Sequence, residues 1–220
     1  MKPKTPNHNR LIQTVILLFL ATGLAKGQTV VNGSFELGIS IPNNNIIQLN
    51  AVDSTSLTGW TVVSGSIDYV GSSRWQAGDG SRSLDMNGSS AGTIEQVVAG
   101  FTPGQSYQLS FLMAANTEGG PTIKSLQASI GSTSQTFTFD GTGHSDANMG
   151  WSERTMDFTA TSTSMTLDFT GLQNSIYGAA LDAVAIAPVP EPGTMSLLGS
   201  AALVCSLGAV RRRMGRNTGI

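Results

Sequence analysis

From Tyr107 to Met113 every second residue is large and apolar: Tyr107, Leu109, Phe111 and Met113 share one face. A period of two marks a strand with one side buried. The same beat returns in shorter runs. Phe137 and Phe139 share a side within 136–139, as do Met156 and Phe158, and then Met165, Leu167 and Phe169. Residues 30–35, 59–63, 66–70, 93–98, 124–130 and 179–186 are the other candidates. Each run is fenced by Gly, Asn, Asp or Ser, and Pro103-Gly104 is a turn signal just ahead of the clearest strand. No long helical period interrupts the series between residues 28 and 187. Residues 140–150, rich in Gly, Asp and Asn, read as the most flexible loop. Strands this short and this regularly spaced predict an all-β fold, a jelly-roll β-sandwich of two antiparallel sheets.

The two ends break the pattern. Lys2, Lys4 and Arg10 precede a short apolar stretch, 14–25, and Ala25-Lys26-Gly27 then sets small residues where a signal peptidase reads. Residues 1–27 therefore read as a secretory leader, a signal helix cleaved before Gln28. At the other end, Val189, Pro190, Glu191 and Pro192 open an 18-residue uncharged run, 193–210, closed by Arg211, Arg212 and Arg213 and then Arg216. A run of about 18 apolar residues is just long enough for a transmembrane helix. The arginines act as membrane-stop cations on the cytoplasmic side. An ordinary anchor has no reason to carry Pro-Glu-Pro at that spacing.

Removing the ends changes the charge. The whole chain has 12 Lys and Arg against 14 Asp and Glu. Only Arg74, Arg82, Lys124 and Arg154 fall in the body, with thirteen of the acids, which leaves it a formal net charge of −9. Nucleic acid, which needs a basic footprint, is excluded as a partner. Neutral glycans and divalent cations remain compatible. The lone cysteine, Cys205, is in the tail, so the body has no disulfide or thiolate chemistry. With one body histidine, His144, a His/Cys zinc site is excluded too. About 160 residues suit one domain.

The tail, "VPEP" followed by "GTMSLLGSAALVCSLGAV" and "RRRMGR", resembles the PEP-CTERM sorting signal of Gram-negative bacteria, here spanning 188–216. The resemblance implies processing by a membrane protease-transpeptidase of exosortase type, after transient tethering in the inner membrane. The body carries "VVNGSFELG", "LTGWTVVSGSIDYV", "GDGSRSLDMNG", "GTIEQVV", "FTPGQSYQLSFLMAAN", "GWSERTMDFTA" and "GAALDAVAI" in that order. It resembles the choice-of-anchor C family of bacterial surface proteins, which is similar to a plant cell-wall family with a galactose-binding-like jelly roll. That implies a non-catalytic, extracellular, carbohydrate-binding domain over 28–187.

Several residues could carry chemistry. Asp182 has the parity of the apolar Val184 and Ile186, and Glu36 follows the first expected strand. A buried carboxylate needs a partner. The "NGSFE" opener and "LDAV" closer resemble those of carbohydrate-binding modules in which such acids hold a structural calcium. Glu36 and Asp182 are thus candidate calcium ligands, or else a solvated side chain and a strand cap. No other cofactor is required. Oxygen-rich stretches at Asp79, Ser81 and Asp85, and at Asp140, Asp146 and Asn148, miss EF-hand spacing and are explained by turns. Trp60 and Trp151 head apolar strands and read as core. Trp75 sits in a polar loop between Arg74 and Gln76, and is the candidate sugar contact, with Tyr69, Arg74 and Gln76, and Asn116 as a further polar partner. His144 and Asp146 have no nucleophile elbow to serve. The reading is an exported, non-enzymatic surface or matrix protein that binds or organises exopolysaccharide, with a biofilm structural role lacking a sugar ligand as the alternative and a glycan hydrolase as the minor one.

Overall fold

The computed structural model describes residues 29–190. The expected signal helix and the expected membrane span, with Glu191, Pro192 and the arginine cluster, lie outside the described residues. Among the described residues no helix is long and apolar enough to cross a membrane.

Among the described residues, eleven strands form two antiparallel sheets. They are β1 (Ile46–Asn50), β2 (Thr61–Ser64), β3 (Ser66–Gly71), β4 (Arg82–Asp85), β5 (Thr93–Ala99), β6 (Ser106–Ala115), β7 (Ile123–Ile130), β8 (Thr133–Asp140), β9 (Ser152–Thr159), β10 (Ser164–Gly171) and β11 (Ala179–Pro188). One sheet runs β1-β3-β4-β11-β6-β9 and the other β2-β5-β10-β7-β8. The last eight strands pair first with last: β4 with β11, β5 with β10, β6 with β9 and β7 with β8. That nesting is a long antiparallel ribbon rolled up on itself, which is a jelly roll. Strands β1 and β3 widen one sheet, and β2 widens the other.

The alternation seen in sequence faces the core. Tyr107, Leu109, Phe111 and Met113 are buried from β6, with Phe137 and Phe139 from β8 and Met165, Leu167 and Phe169 from β10. Rings run through the interior from Phe35 to Trp60, Phe169, Phe111 and Phe137, each centroid 5.1–6.2 Å from the next. Tilted and edge-on pairs at such spacing add to their burial.

Two expectations need correction. Residues 30–35 form turns, not a strand. Asn32 and Phe35 take φ of 54° and 56°, a left-handed conformation outside the β region. The Asn32 side chain fixes the turn by accepting from the Leu37 N–H and donating to the carbonyls of Leu37 and Thr58. The segment still lies beside the last strand, since the Val184 N–H donates to Gly33 O at 2.8 Å. Conversely, β1 and β4 are strands that the alternation did not announce. The loop 140–150 joins β8 to β9 and closes through a Ser145–Asn148 bridge.

Candidate binding site

The Gly78–Arg82 loop is where Glu36 and Asp182 act. β11 carries a bulge between Asp182 and Ala185, with Ala183 at φ 50°. There the Asp182 Oδ2 accepts the N–H groups of Gly78 (2.9 Å) and Asp79 (2.8 Å), and its Oδ1 that of Ala183. Glu36 takes the other half of the loop. Its Oε1 accepts the N–H groups of Ser81 and Arg82 at 2.7 and 2.8 Å, and its Oε2 the Ser81 hydroxyl. All four carboxylate oxygens thus face N–H or O–H donors. These donors account for the burial of both carboxylates with no metal invoked. Among the described residues no three His, Cys, Asp or Glu side chains converge to share a metal. Burial pushes Asp182 up to about 7, against the pull of its three amide donors.

A groove of about 520 Å³ runs over the outer face of β1 and β3. Strand parity builds its floor. Leu49, Ile67 and Tyr69 point to the core, so Ile46, Gln48 and Asp68 point outward into it, and Asp85 lies beside Asp68, buried under the walls. Gln48 pairs with Asp68, and Asp68 with Asp85. Its walls are loops bearing Asn116, Glu118, Ile176 and Tyr177. Asp85, itself buried, ties the walls together. It accepts from the Asn87 and Gly178 N–H groups at 2.9 and 3.0 Å and from Asn116 Nδ2 at 2.7 Å. A Cβ on Gly178 would strike Asp85 Oδ1, so only glycine lets the backbone approach so closely. Lys124, also buried, adds a second tie by donating to Gly119 O and Tyr177 O at 2.7 and 2.8 Å. Its burial lowers its pKa, while Asp85 acts to raise it. Facing like charges on adjacent strands are unfavourable. Burial raises Asp68 to about 6 and Asp85 to about 7, the latter raised further by Asp68 and opposed by its hydrogen bonds. The Asp68–Asp85 pair therefore carries less than two negative charges near neutral pH.

The expected contact residues separate. Tyr69 is fully buried, its hydroxyl donating to Phe35 O at 2.5 Å and accepting from Arg82 at 2.6 Å. Trp75 is 3% exposed, with its indole N–H on Ser83 Oγ at 2.7 Å. It packs on the outer face of the sheet, under one end of the groove. Neither ring offers a free face to a sugar. Arg74 reaches the groove, held by Glu118 and by Asp146 at 3.4 Å. Gln76 faces the neighbouring loop, accepting the Met149 N–H with Oε1 and the Trp151 indole N–H with its carbonyl. Trp60 is core, as its strand position implies. The ring of His144 lies 5.3 Å from Phe139, whereas Asp146 serves Arg74 and Thr117. Gln48, Asp68, Lys124 and Tyr177 were not singled out as site residues from sequence, and Asp85 was read only as part of an oxygen-rich turn. The usable signal was parity: Asp68 interrupts Ile67, Tyr69 and Val70 as the one charge in an otherwise buried strand.

Comparison with known proteins places these features. Residues 188–213 match the model of the PEP-CTERM protein-sorting motif, the mark of an exported, membrane-processed protein. Halomucin of Haloquadratum walsbyi is 34% identical over 189 residues, 81% of this chain, but the chain spans only 2% of halomucin's length. Among solved structures, the CBM22-1 xylan-binding domain of Paenibacillus barcinonensis Xyn10C is 14% identical, with 67% of this chain and 97% of that one covered and a TM-score of 0.40. TmCBM61 in complex with β-1,4-galactotriose is 12% identical, with 74% and 99% covered and a TM-score of 0.42. Likenesses that distant carry no ligand across. The body, residues 28–187, matches the model described as "Protein of unknown function (DUF642)" over its whole length, and the chain belongs to that family.

Proposed function

We propose that this is an exported, non-catalytic protein of the cell surface or extracellular matrix that binds or organises exopolysaccharide through the groove over β1 and β3. The groove's composition carries the reading. A sugar ring shows apolar C–H faces and hydroxyl edges, and a site for it needs apolar patches beside convergent polar groups. Here the exposed Ile46 and Ile176 and the Tyr177 ring stand beside Gln48, Asp68, Ser89 and Asn116. The floor is pre-organised by Asp85 and Lys124, so little ordering entropy is left for binding. A leader removed by signal peptidase and a tail removed by an exosortase-type enzyme at the inner membrane would deliver the body outside. A non-enzymatic role is consistent with His144 and Asp146 serving different partners. Affinity electrophoresis against neutral polysaccharides tests the assignment. Gln48→Ala and Ile176→Ala should each weaken retardation several-fold with the melting temperature unchanged. Undiminished binding in both variants would move the site elsewhere. No binding by the wild type would leave a structural matrix role.

A further inference from the structure

The sorting motif leaves the body without a spacer. Pro188, the last residue of β11, still pairs with Tyr107 of β6. One residue on, the Val189 N–H donates to Ser106 O at 2.9 Å. Val189 is half-buried and lines a pit with Asp157, Phe158 and Thr159. Pro190 is exposed and follows directly. Glu191 is therefore only two residues, about 7 Å of extended chain, from a residue locked in the sheet. Enzymes that cut or transfer peptides commonly take them as an added, extended strand, through main-chain groups on both sides of the reacting bond. The main chain on the body side is already engaged by β6. The grip is shallow, however. Pro188 has no N–H to give, so beyond Ala187 the hold on β6 shown by the structure is one hydrogen bond and the Val189 side chain.

We propose that the end of β11 is a latch: residues 188 and 189 must peel from β6 before the processing enzyme can engage the Pro190-Glu191-Pro192 segment, so the folded body restrains removal of its own tail. This rests on reading residues 188–213 as a processing signal. Scission there breaks one amide bond, the body's new carboxyl end passing to water or to an amine acceptor.

Three full-length chains, expressed in a host with an exosortase-type system and followed by pulse-chase, test the latch. Four Gly and Ser residues inserted between Val189 and Pro190 should speed tail loss roughly fivefold, the Boltzmann factor of one net hydrogen bond. The pair S106C and V189C, with Cys205→Ser to leave no other thiol, joins positions that face each other across antiparallel strands, a separation a disulfide accepts. It should stop tail loss, and reductant should restore it. Equal rates in the wild type, the spacer chain and the oxidised pair would overturn the latch and keep the processing signal. A wild-type tail that is never lost would overturn the processing signal and the latch with it.

Discussion

At the scale of single residues, burial decides roles that sequence neighbours leave open. Trp75 stands between Arg74 and Gln76, and nothing local marks it as buried. Its burial comes from the outer face of β3 and β4 folding under it, which is a tertiary fact. Trp75→Ala should therefore cost about 3–5 kcal/mol, as large-to-small changes of buried aromatics do, and Trp75→Phe, which loses the bond to Ser83, less. Urea unfolding measures both. A stable Trp75→Ala that loses only ligand binding would restore it as a contact. Asp182 makes a second test. Its folded pKa is raised from 3.8 to about 7, so the folded state binds the proton more tightly than the unfolded chain. The stabilisation linked to that proton is fully present below about pH 4 and is lost as pH rises through about 7. The wild type should lose stability across that window relative to Asp182→Asn, by an amount on the order of 4 kcal/mol. Parallel pH profiles of the two proteins would show that Asp182 stays ionised throughout.

At the scale of elements, the Gly78–Arg82 loop shows how a fold does with amides what a cation could do. Two carboxylates from opposite ends of the chain grip consecutive backbone N–H groups, joining the segment after the Asn32 turn to the bulge in β11. Gly80 is the hinge of that loop, with φ 62°, and a Cβ there would stand 2.5 Å from Glu36 Oε1. Gly80→Ala meets both a left-handed backbone and a carboxylate, and should cost about 2 kcal/mol or more. Thermal unfolding reads it; an unchanged midpoint would mean the grip contributes nothing. This element also explains what was legible beforehand. Strands β5, β7 and β10, and most of β6, announce themselves because one face is core and the other more open, so the pattern alternates. β4 does not, since Ser83, Leu84 and Asp85 are all buried, two of them beneath loops. β1 is short and lies at a sheet edge, with only Leu49 fully buried. The turn at 30–35 was written in Asn32-Gly33, a turn signal outweighed by the apolar residues around it. The groove was hidden for a related reason: its floor comes from Gln48 and Asp68, apart in sequence and neighbours only through register.

At the scale of the whole molecule, charge narrows what the groove can accept. The body's formal charge of −9 already counts its four cations, and each of the four is engaged. Arg74 pairs with Glu118 and Asp146, Arg82 serves Tyr69 and Ile39 O, Lys124 is buried on two carbonyls, and Arg154 donates to Ser152 and Thr138 O. A uronate-rich chain entering the groove would meet Asp68 and Glu118 with no free guanidinium to receive its carboxylates. Repulsion of this kind acts within about 10 Å at ordinary salt and further as salt is withdrawn. Neutral polysaccharides should therefore be held with an affinity that hardly changes with ionic strength, since hydroxyl hydrogen bonds and apolar contact are not screened. Polyuronates should be excluded at low salt and gain only slightly as salt rises. Affinity electrophoresis on both polymer types across a salt series makes the comparison. Retention on a polyuronate at low salt, released by adding salt, would mean that a cation in the body is free after all, and the neutral-glycan assignment of the groove would go with it.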